Sequence, residues 1–123
     1  MSLRVLLVDD NQDFLDAAKR LLAAEGLVVV GVTTTSAGAI TLVHSLQPDV
    51  ALVDIKLGRE SGIELSRRLA ELSGASGPRV VLISTHAEED FRDLIEASPA
   101  VGFIAKAGLS AAAILSALGE QSS

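Results

Sequence analysis

Short apolar runs that do not alternate with polar residues recur along this chain of 123 residues. Each run is rich in Val, Leu and Ile, and each is followed by a stretch with helical periodicity. Runs without alternation are typical of parallel strands buried on both faces, because helices cover both sides of such a sheet. The five runs are Leu3–Val8, Leu27–Val32, Val50–Val53, Val80–Ile83 and Val101–Ala105.

Five helical patterns separate and follow these runs. Ser36 and Ser110 stand where the second and fifth patterns begin, and serine is a good helix N-cap. Gly26, Pro48 and Pro99 stand where other patterns end, as helix-terminating residues do. The alternation predicts an α/β fold, in which a five-stranded parallel sheet is covered on both faces and joined by right-handed crossovers.

Composition excludes several functional classes. The net charge is −6 and no run of Lys or Arg exists, so we expect no direct contact with nucleic acid. Cysteine is absent, which excludes disulfides and thiolate metal sites. Residues 26–48 lack Asp, Glu, Lys and Arg, yet they contain Gly31, Gly38 and Pro48, which suit a strand, a turn and a helix better than a membrane span. We therefore expect a cytoplasmic protein with no membrane contact.

Polar residues stand where four of the apolar runs stop. Asp9 and Asp10 follow the first run, Asp54 the third, Ser84 the fourth and Lys106 the fifth. If the runs are parallel strands, these side chains gather at the edge where such sheets bind ligands. Three carboxylates, a hydroxyl and an ammonium at one place suit a divalent cation and a phosphoryl group.

At these spacings, the same five residues resemble those of the receiver domain of two-component response regulators, and the resemblance covers essentially the whole chain. It implies a doubly wound, flavodoxin-like (βα)5 fold with strand order 2-1-3-4-5. We expect residues 1–123 to form a single receiver domain, either a stand-alone regulator or a part cut from a longer one. The last residues, 120–123, are expected to be a frayed end or the start of a linker.

The resemblance also implies a Mg²⁺ site. Asp10 would bind the ion directly, Asp9 directly or through water, and the backbone carbonyl of Lys56 would complete the ligands together with Asp54. Mg²⁺ prefers oxygen ligands and keeps several waters, which suits this set. Without a cation the carboxylates repel one another, so at least one of their pKa values is expected to rise.

In the family, the residue at the position of Asp54 accepts a phosphoryl group from a sensor histidine kinase. Ser84 and Lys106 would each contact a phosphoryl oxygen, and Phe103 would be the aromatic switch residue that turns inward when Ser84 moves. The signal would pass through the face formed by the fourth helix, fifth strand and fifth helix to an output domain, a downstream protein or a second copy in a phosphorylation-dependent homodimer. Such a module catalyses its own phosphorylation and slow hydrolysis, but it is not a turnover enzyme.

Two positions depart from the usual family pattern. Gly58 stands where many receivers have proline four residues after the acceptor, so the loop is expected to be less restrained. Ala107 stands where many have a proline after the lysine, often with a cis bond. A cis bond without proline costs about 3 kcal/mol, so we expect a trans bond here.

Three other functions are alternatives to this one. A pseudo-receiver would keep the fold without the switch; the retained site residues oppose it, while Gly58 and Ala107 leave it open. An aspartate-nucleophile phosphohydrolase usually carries its second Asp two positions after the first, where this chain has Asn11. A dinucleotide enzyme is disfavoured because no glycine-rich loop follows the first strand.

Overall fold

A computed structural model describes residues 3–74 and 77–119. Five strands in these ranges form one parallel sheet: β1 (Arg4–Val8), β2 (Val28–Thr33), β3 (Val50–Asp54), β6 (Arg79–Ser84) and β7 (Gly102–Ala105). An antiparallel hairpin of β4 (Lys56–Leu57) and β5 (Glu60–Ser61) follows β3. The sheet order is β2-β1-β3-β6-β7. Without the hairpin strands this is the predicted order 2-1-3-4-5, so the predicted fold is confirmed.

The helices are α1 (Gln12–Ala24), α2 (Ser36–Leu46), α3 (Gly62–Ser73), α4 (Arg92–Glu96) and α5 (Ala111–Ala117). Ser110 caps α5 as predicted, because its hydroxyl accepts the N–H of Ala113 over 2.9 Å. Helix α2 begins at Ser36 as predicted, but the predicted N-cap was wrong by one residue. Thr35 is its cap and accepts the N–H of Gly38, while Ser36 is the first residue of the helix.

Boundaries differ from the predicted ones at the carboxyl ends of three strands. β2 continues one residue past its apolar run, to Thr33. β3 and β6 each continue one residue past the apolar run and include Asp54 and Ser84. Backbone pairing continues there, with Asp54 opposite Ile83 and Ser84 opposite Ala105, because the strand ladder does not depend on side-chain polarity. The fourth helical region is a 3₁₀ turn, Glu88–Phe91, followed by the five-residue helix α4. Residues 120–123 lie outside the described residues.

The sheet separates two apolar layers. Successive residues of a strand face opposite sides, so Leu6 of β1 packs in the layer that includes residues of α2 and α3. Leu7, its neighbour, packs in the layer that includes residues of α1 and α5. This arrangement explains why the strand sequences are apolar throughout. Among the described helices, none is both long and apolar enough to cross a lipid bilayer.

The order of the strands reverses at the centre of the sheet. β1 lies between β2, which continues the chain to one side, and β3, which begins the other side. The crevice beyond the carboxyl ends of β1 and β3 is where sheets of this kind bind ligands. Asp9 and Asp10 follow β1 and Asp54 ends β3, so the sequence-predicted residues stand at this crevice.

Candidate functional site

An open pocket at the carboxyl edge of the sheet brings the predicted site residues together. Asp9 lies directly behind it, and Asp54 and Lys106 reach it from β3 and the end of β7. The pocket is lined by Asp10, Asn11, Gln12, Asp13, Asp54, Lys56, Ser84, Thr85, His86 and Lys106. The chain segments at the carboxyl ends of four strands, β1, β3, β6 and β7, therefore meet around one space.

Three carboxylates converge at the base of this pocket. Asp9, Asp10 and Asp54 each contribute one oxygen atom, and these atoms lie within 4.8 Å of one another. Asp9 is fully buried and Asp54 is 6% exposed, whereas Asp10 is open to solvent. Buried carboxylates so close together are unfavourable unless cations or hydrogen bonds compensate their charge.

Lys106 is the cation that holds two of these carboxylates. Its Nζ lies 2.6 Å from Asp9 Oδ2 and 3.2 Å from Asp54 Oδ2. Burial alone would lower the pKa of Lys106, but the close contact with Asp9 and the attraction of Asp54 and Asp9 together raise that pKa above its usual value. The ammonium also lies 4.6 Å from the ring centre of Phe14, a cation–π distance.

Phe14 was missed as a site residue when the sequence alone was considered. Its ring packs beside the layer that includes α1 and α5. Its place in the first turn of α1, at the same edge of the sheet as Asp9, was the signal that could have identified it.

The pKa of Asp54 is raised above its usual value, as predicted for at least one carboxylate of the set. Burial is the largest cause, and repulsion from Asp9 adds to it. The attraction of Lys106 and its hydrogen bond, and the hydrogen bond from the Lys56 backbone, act in the opposite direction without cancelling these effects. The ionised form of Asp54 is therefore under electrostatic strain that a cation would relieve.

Backbone N–H groups orient all three carboxylates. Asp9 Oδ1 accepts the N–H of Asn11 over 2.9 Å, and Asp54 Oδ1 accepts that of Lys56 over 3.3 Å. Asp10 Oδ2 accepts the N–H of Gly58 over 3.0 Å. Two of these donors belong to the β4–β5 hairpin, which the sequence did not predict.

The residues present fit a divalent cation. Three carboxylates face one ammonium, which leaves an excess of negative charge at the pocket. Among the described residues, Asp9 Oδ2 is a buried oxygen that accepts no hydrogen bond of good geometry, although Lys106 lies close to it. An oxygen-only donor set with spare lone pairs is what Mg²⁺ prefers.

Ser84 and Phe103 lie on the same face of the sheet. Ser84 is 2% exposed, and its Oγ accepts the N–H of His86 over 3.0 Å. Phe103 stands opposite Leu82 in the β6–β7 pairing, two residues before the pair formed by Ser84 and Ala105. Its ring is partly buried against the layer that includes α2 and α3.

The backbone conformation is defined at both positions that depart from the usual family pattern. Gly58 has φ = +60°, in the left-handed region that favours glycine. The bond between Lys106 and Ala107 is trans, as expected, and no cis bond occurs within residues 3–74 and 77–119. Lys106 itself begins a short 3₁₀ turn that ends at Gly108.

Comparison with known proteins agrees with this architecture. Residues 5–118 match the family model described as the response regulator receiver domain. A solved response regulator protein from Burkholderia pseudomallei superposes with a TM-score of 0.79 at 25% identity, covering 95% of this chain and 66% of the other. That structure contains a phosphorylated aspartic acid, a calcium ion and citrate.

Curated relatives are longer than this chain. A protein-glutamate methylesterase/protein-glutamine glutaminase of Myxococcus xanthus is 40% identical over 71% of the chain, which covers 25% of that protein. Response regulator GacA of Pseudomonas aeruginosa is 34% identical over 87% of the chain, which covers 50% of GacA. The matched region extends from β1 to the end of α5 and includes every site residue described above. The chain belongs to the receiver domain family of the response regulators of two-component signalling.

Proposed function

We propose that this receiver domain accepts a phosphoryl group on Asp54 with the help of Mg²⁺ and passes on a conformational signal. The observation that carries the proposal is the convergence of Asp9, Asp10 and Asp54 within 4.8 Å, with Lys106 in contact with two of them. The phosphorylated aspartic acid in the similar Burkholderia pseudomallei protein supports this assignment.

Asp54 is the nucleophile in this proposal. One of its carboxylate oxygens forms a bond to phosphorus while the bond from phosphorus to the donor breaks, and the donor leaves with that electron pair. Asp9, Asp10, Asp54 and the backbone carbonyl of Lys56 would hold Mg²⁺, which when bound supplies positive charge to the phosphoryl oxygens.

Lys106 and Ser84 contact the phosphoryl group during and after its transfer in this proposal. Lys106 lies 3.2 Å from Asp54 Oδ2, so its ammonium can follow the oxygens that Asp54 acquires. The Ser84 hydroxyl lies at the end of β6, the strand next to β3, and donates to another phosphoryl oxygen. Both groups stabilise charge that develops during the transfer.

The test is incubation of the chain with Mg²⁺ and acetyl phosphate, followed by intact mass measurement. We expect a gain of one phosphoryl group that is lost in Asp54→Asn and retained in Asp13→Asn, a matched change of an exposed carboxylate in the same pocket. The absence of an adduct, together with no binding of Mg²⁺ or beryllofluoride, would identify a pseudo-receiver. Steady hydrolysis of a phosphate ester would indicate a phosphohydrolase instead.

Ser84 and Phe103 form the proposed switch. When Ser84 moves toward the phosphoryl group, the ring of Phe103 turns inward and the face formed by α4, β7 and α5 changes. NMR shifts of backbone amides on that face, measured with and without beryllofluoride, test this coupling. We expect Ser84→Ala to lose the shifts and Thr85→Ala, an exposed neighbouring hydroxyl, to retain them; shifts that persist in Ser84→Ala would refute the coupling.

The partners follow from this mechanism. In the cytoplasm, a sensor histidine kinase would donate the phosphoryl group to this domain. The changed face would contact an output domain, a downstream protein or a second copy in a homodimer. Because the chain spans a quarter to a half of its first curated relatives, a C-terminal output domain is the partner that we favour. Mass measurement after incubation with a phosphorylated histidine kinase domain tests the donor, and light scattering with and without beryllofluoride tests the dimer.

A further inference from the structure

The β4–β5 hairpin orients two of the three carboxylates through its backbone. The Lys56 N–H donates to Asp54 over 3.3 Å, and the Gly58 N–H donates to Asp10 over 3.0 Å. These acceptors come from different strand ends, β3 and β1, which the hairpin therefore connects. A shift of the hairpin would change the direction of both carboxylates together.

The hairpin is itself fixed to two neighbouring parts of the fold. At its base, the Gly62 N–H donates to the carbonyl of Ile55 over 2.8 Å. At its side, Glu60 Oε1 accepts the N–H of Ser36, the first residue of α2, over 3.0 Å. The first N–H groups of a helix have no partner within the helix and carry partial positive charge, so a carboxylate is favourable there. Glu60 thus fixes the hairpin to α2.

Gly58 combines two properties that proline at this position would lack. It has φ = +60°, whereas proline is restricted to φ near −65°. It also has the N–H that Asp10 accepts, and proline has none. Of the residues other than glycine, asparagine tolerates the left-handed region well and keeps the N–H. A side chain at position 58 has room, because the nearest atom to an added Cβ is Asp10 Oδ2 at 4.0 Å.

We propose that Gly58 and Glu60 are positioning residues for the metal-binding carboxylates of this receiver, an inference that rests on the proposed function. Gly58 acts through Asp10, whose carboxylate has about four lone-pair sites and can accept an N–H while it binds a cation. Glu60 acts by holding the hairpin that carries Gly58. Removal of a hydrogen-bond partner of a metal ligand typically lowers metal affinity by about 10–100-fold.

The test is a calorimetric titration of the full chain with Mg²⁺. We expect Gly58→Pro to weaken binding about tenfold or more, and Glu60→Ala, which acts at one remove, about threefold to tenfold. Gly58→Asn keeps the N–H and Glu60→Gln keeps an acceptor oxygen, so both should stay within about twofold of the unmodified chain if the hydrogen bonds carry the effect. The amide resonance of Gly58 supplies a second readout, since its hydrogen bond to Asp10 is lost when Glu60→Ala frees the hairpin.

Circular dichroism establishes that each variant is folded before its affinity is compared. Glu60 is exposed, so Glu60→Ala keeps the test decisive if Gly58→Pro fails to fold. Unchanged Mg²⁺ affinity in Glu60→Ala, or equal losses in Gly58→Asn and Gly58→Pro, would overturn the inference while leaving the proposed function intact. A wild-type chain that takes neither Mg²⁺ nor a phosphoryl group would overturn the proposed function, and the inference with it.

Discussion

Gly62 is the residue at which a single added methyl group should disturb the site most directly. It is the first residue of α3, is buried, and packs against the end of β3. A Cβ built there would overlap the carbonyl oxygen of Asp54, and it would lie 2.8 Å from the Asp54 carbonyl carbon and 3.0 Å from Val53 Cγ1. The close approach of α3 to the backbone of Asp54 therefore requires glycine.

The expected loss of stability in Gly62→Ala follows from these contacts. Overpacking a core site costs about 1–3 kcal/mol, and the upper end applies because the obstructing atoms belong to the backbone of β3, which is paired on both sides. Alanine in place of a helical glycine recovers at most about 1 kcal/mol. The net loss is about 2 kcal/mol, which corresponds to a fall of about 7 °C in Tm for a domain of this size.

Urea unfolding followed by circular dichroism measures this loss, and intact mass after acetyl phosphate treatment measures its effect on Asp54. Gly108→Ala is the matched control, because nothing lies within 4 Å of a Cβ added there and its φ is not positive. We expect the control to change stability by no more than about 0.5 kcal/mol. If Gly62→Ala is as stable as Gly108→Ala and is phosphorylated equally well, the steric reasoning is wrong.

Three further predictions concern the charges of the site and the core. Asp54→Asn should unfold at higher urea concentration than the unmodified chain at neutral pH without Mg²⁺, because burial and repulsion from Asp9 raise the pKa of Asp54. The gain in stability, about 1.4 kcal/mol for each unit by which that pKa is raised, should decrease as pH falls through the raised pKa toward 3.8. A stability difference that does not depend on pH would contradict this prediction. Lys106→Met should lose about 3 kcal/mol of stability in the same assay, because it leaves the buried Asp9 without its ammonium partner. The difference in stability between this variant and the unmodified chain should disappear as pH rises through the raised pKa of Lys106, above 10.5. Equal stability at neutral pH would count against a stabilising ion pair. Leu52→Ala, at a fully buried position of β3, should lose about 3 kcal/mol by urea titration, and a loss below about 1 kcal/mol would show that the core relaxes around the cavity.

The strand ends were the part of the site that could be predicted from the sequence. Apolar runs locate buried strands, and the carboxyl edge of a parallel sheet collects whatever polar residues follow them. Asp54 and Lys106, which are 52 positions apart in the chain, are therefore placed together by topology, and their side chains lie 3.2 Å apart. The strand order came from the family resemblance, because periodicity does not determine which strands are neighbours.

The β4–β5 hairpin could not be predicted in this way. Each of its strands has two residues, too few for a periodic pattern, and the turn depends on one φ value at Gly58. Its anchors are contacts across long stretches of sequence, 48 positions from Gly58 to Asp10 and 24 from Glu60 to Ser36. From the sequence alone, Gly58 was interpreted as making its loop less restrained. In the structure, the Gly58 N–H donates a hydrogen bond to the Asp10 carboxylate.

Lys106 connects metal binding with phosphoryl transfer in the proposed chemistry. Its ammonium lies closer to Asp9, at 2.6 Å, than to Asp54, at 3.2 Å, and so it mainly compensates the carboxylate that is most deeply buried. To follow phosphoryl oxygens on Asp54, it must give up part of its contact with Asp9, which would then be a buried charge without a partner. A cation bound at the three carboxylates would remove that obstacle, since its charge would compensate Asp9 when Lys106 turns away. In the proposed function, metal binding would therefore be a condition for the response of Lys106. The Lys106→Met comparison measures how much stability is lost when this ammonium is removed in the absence of Mg²⁺.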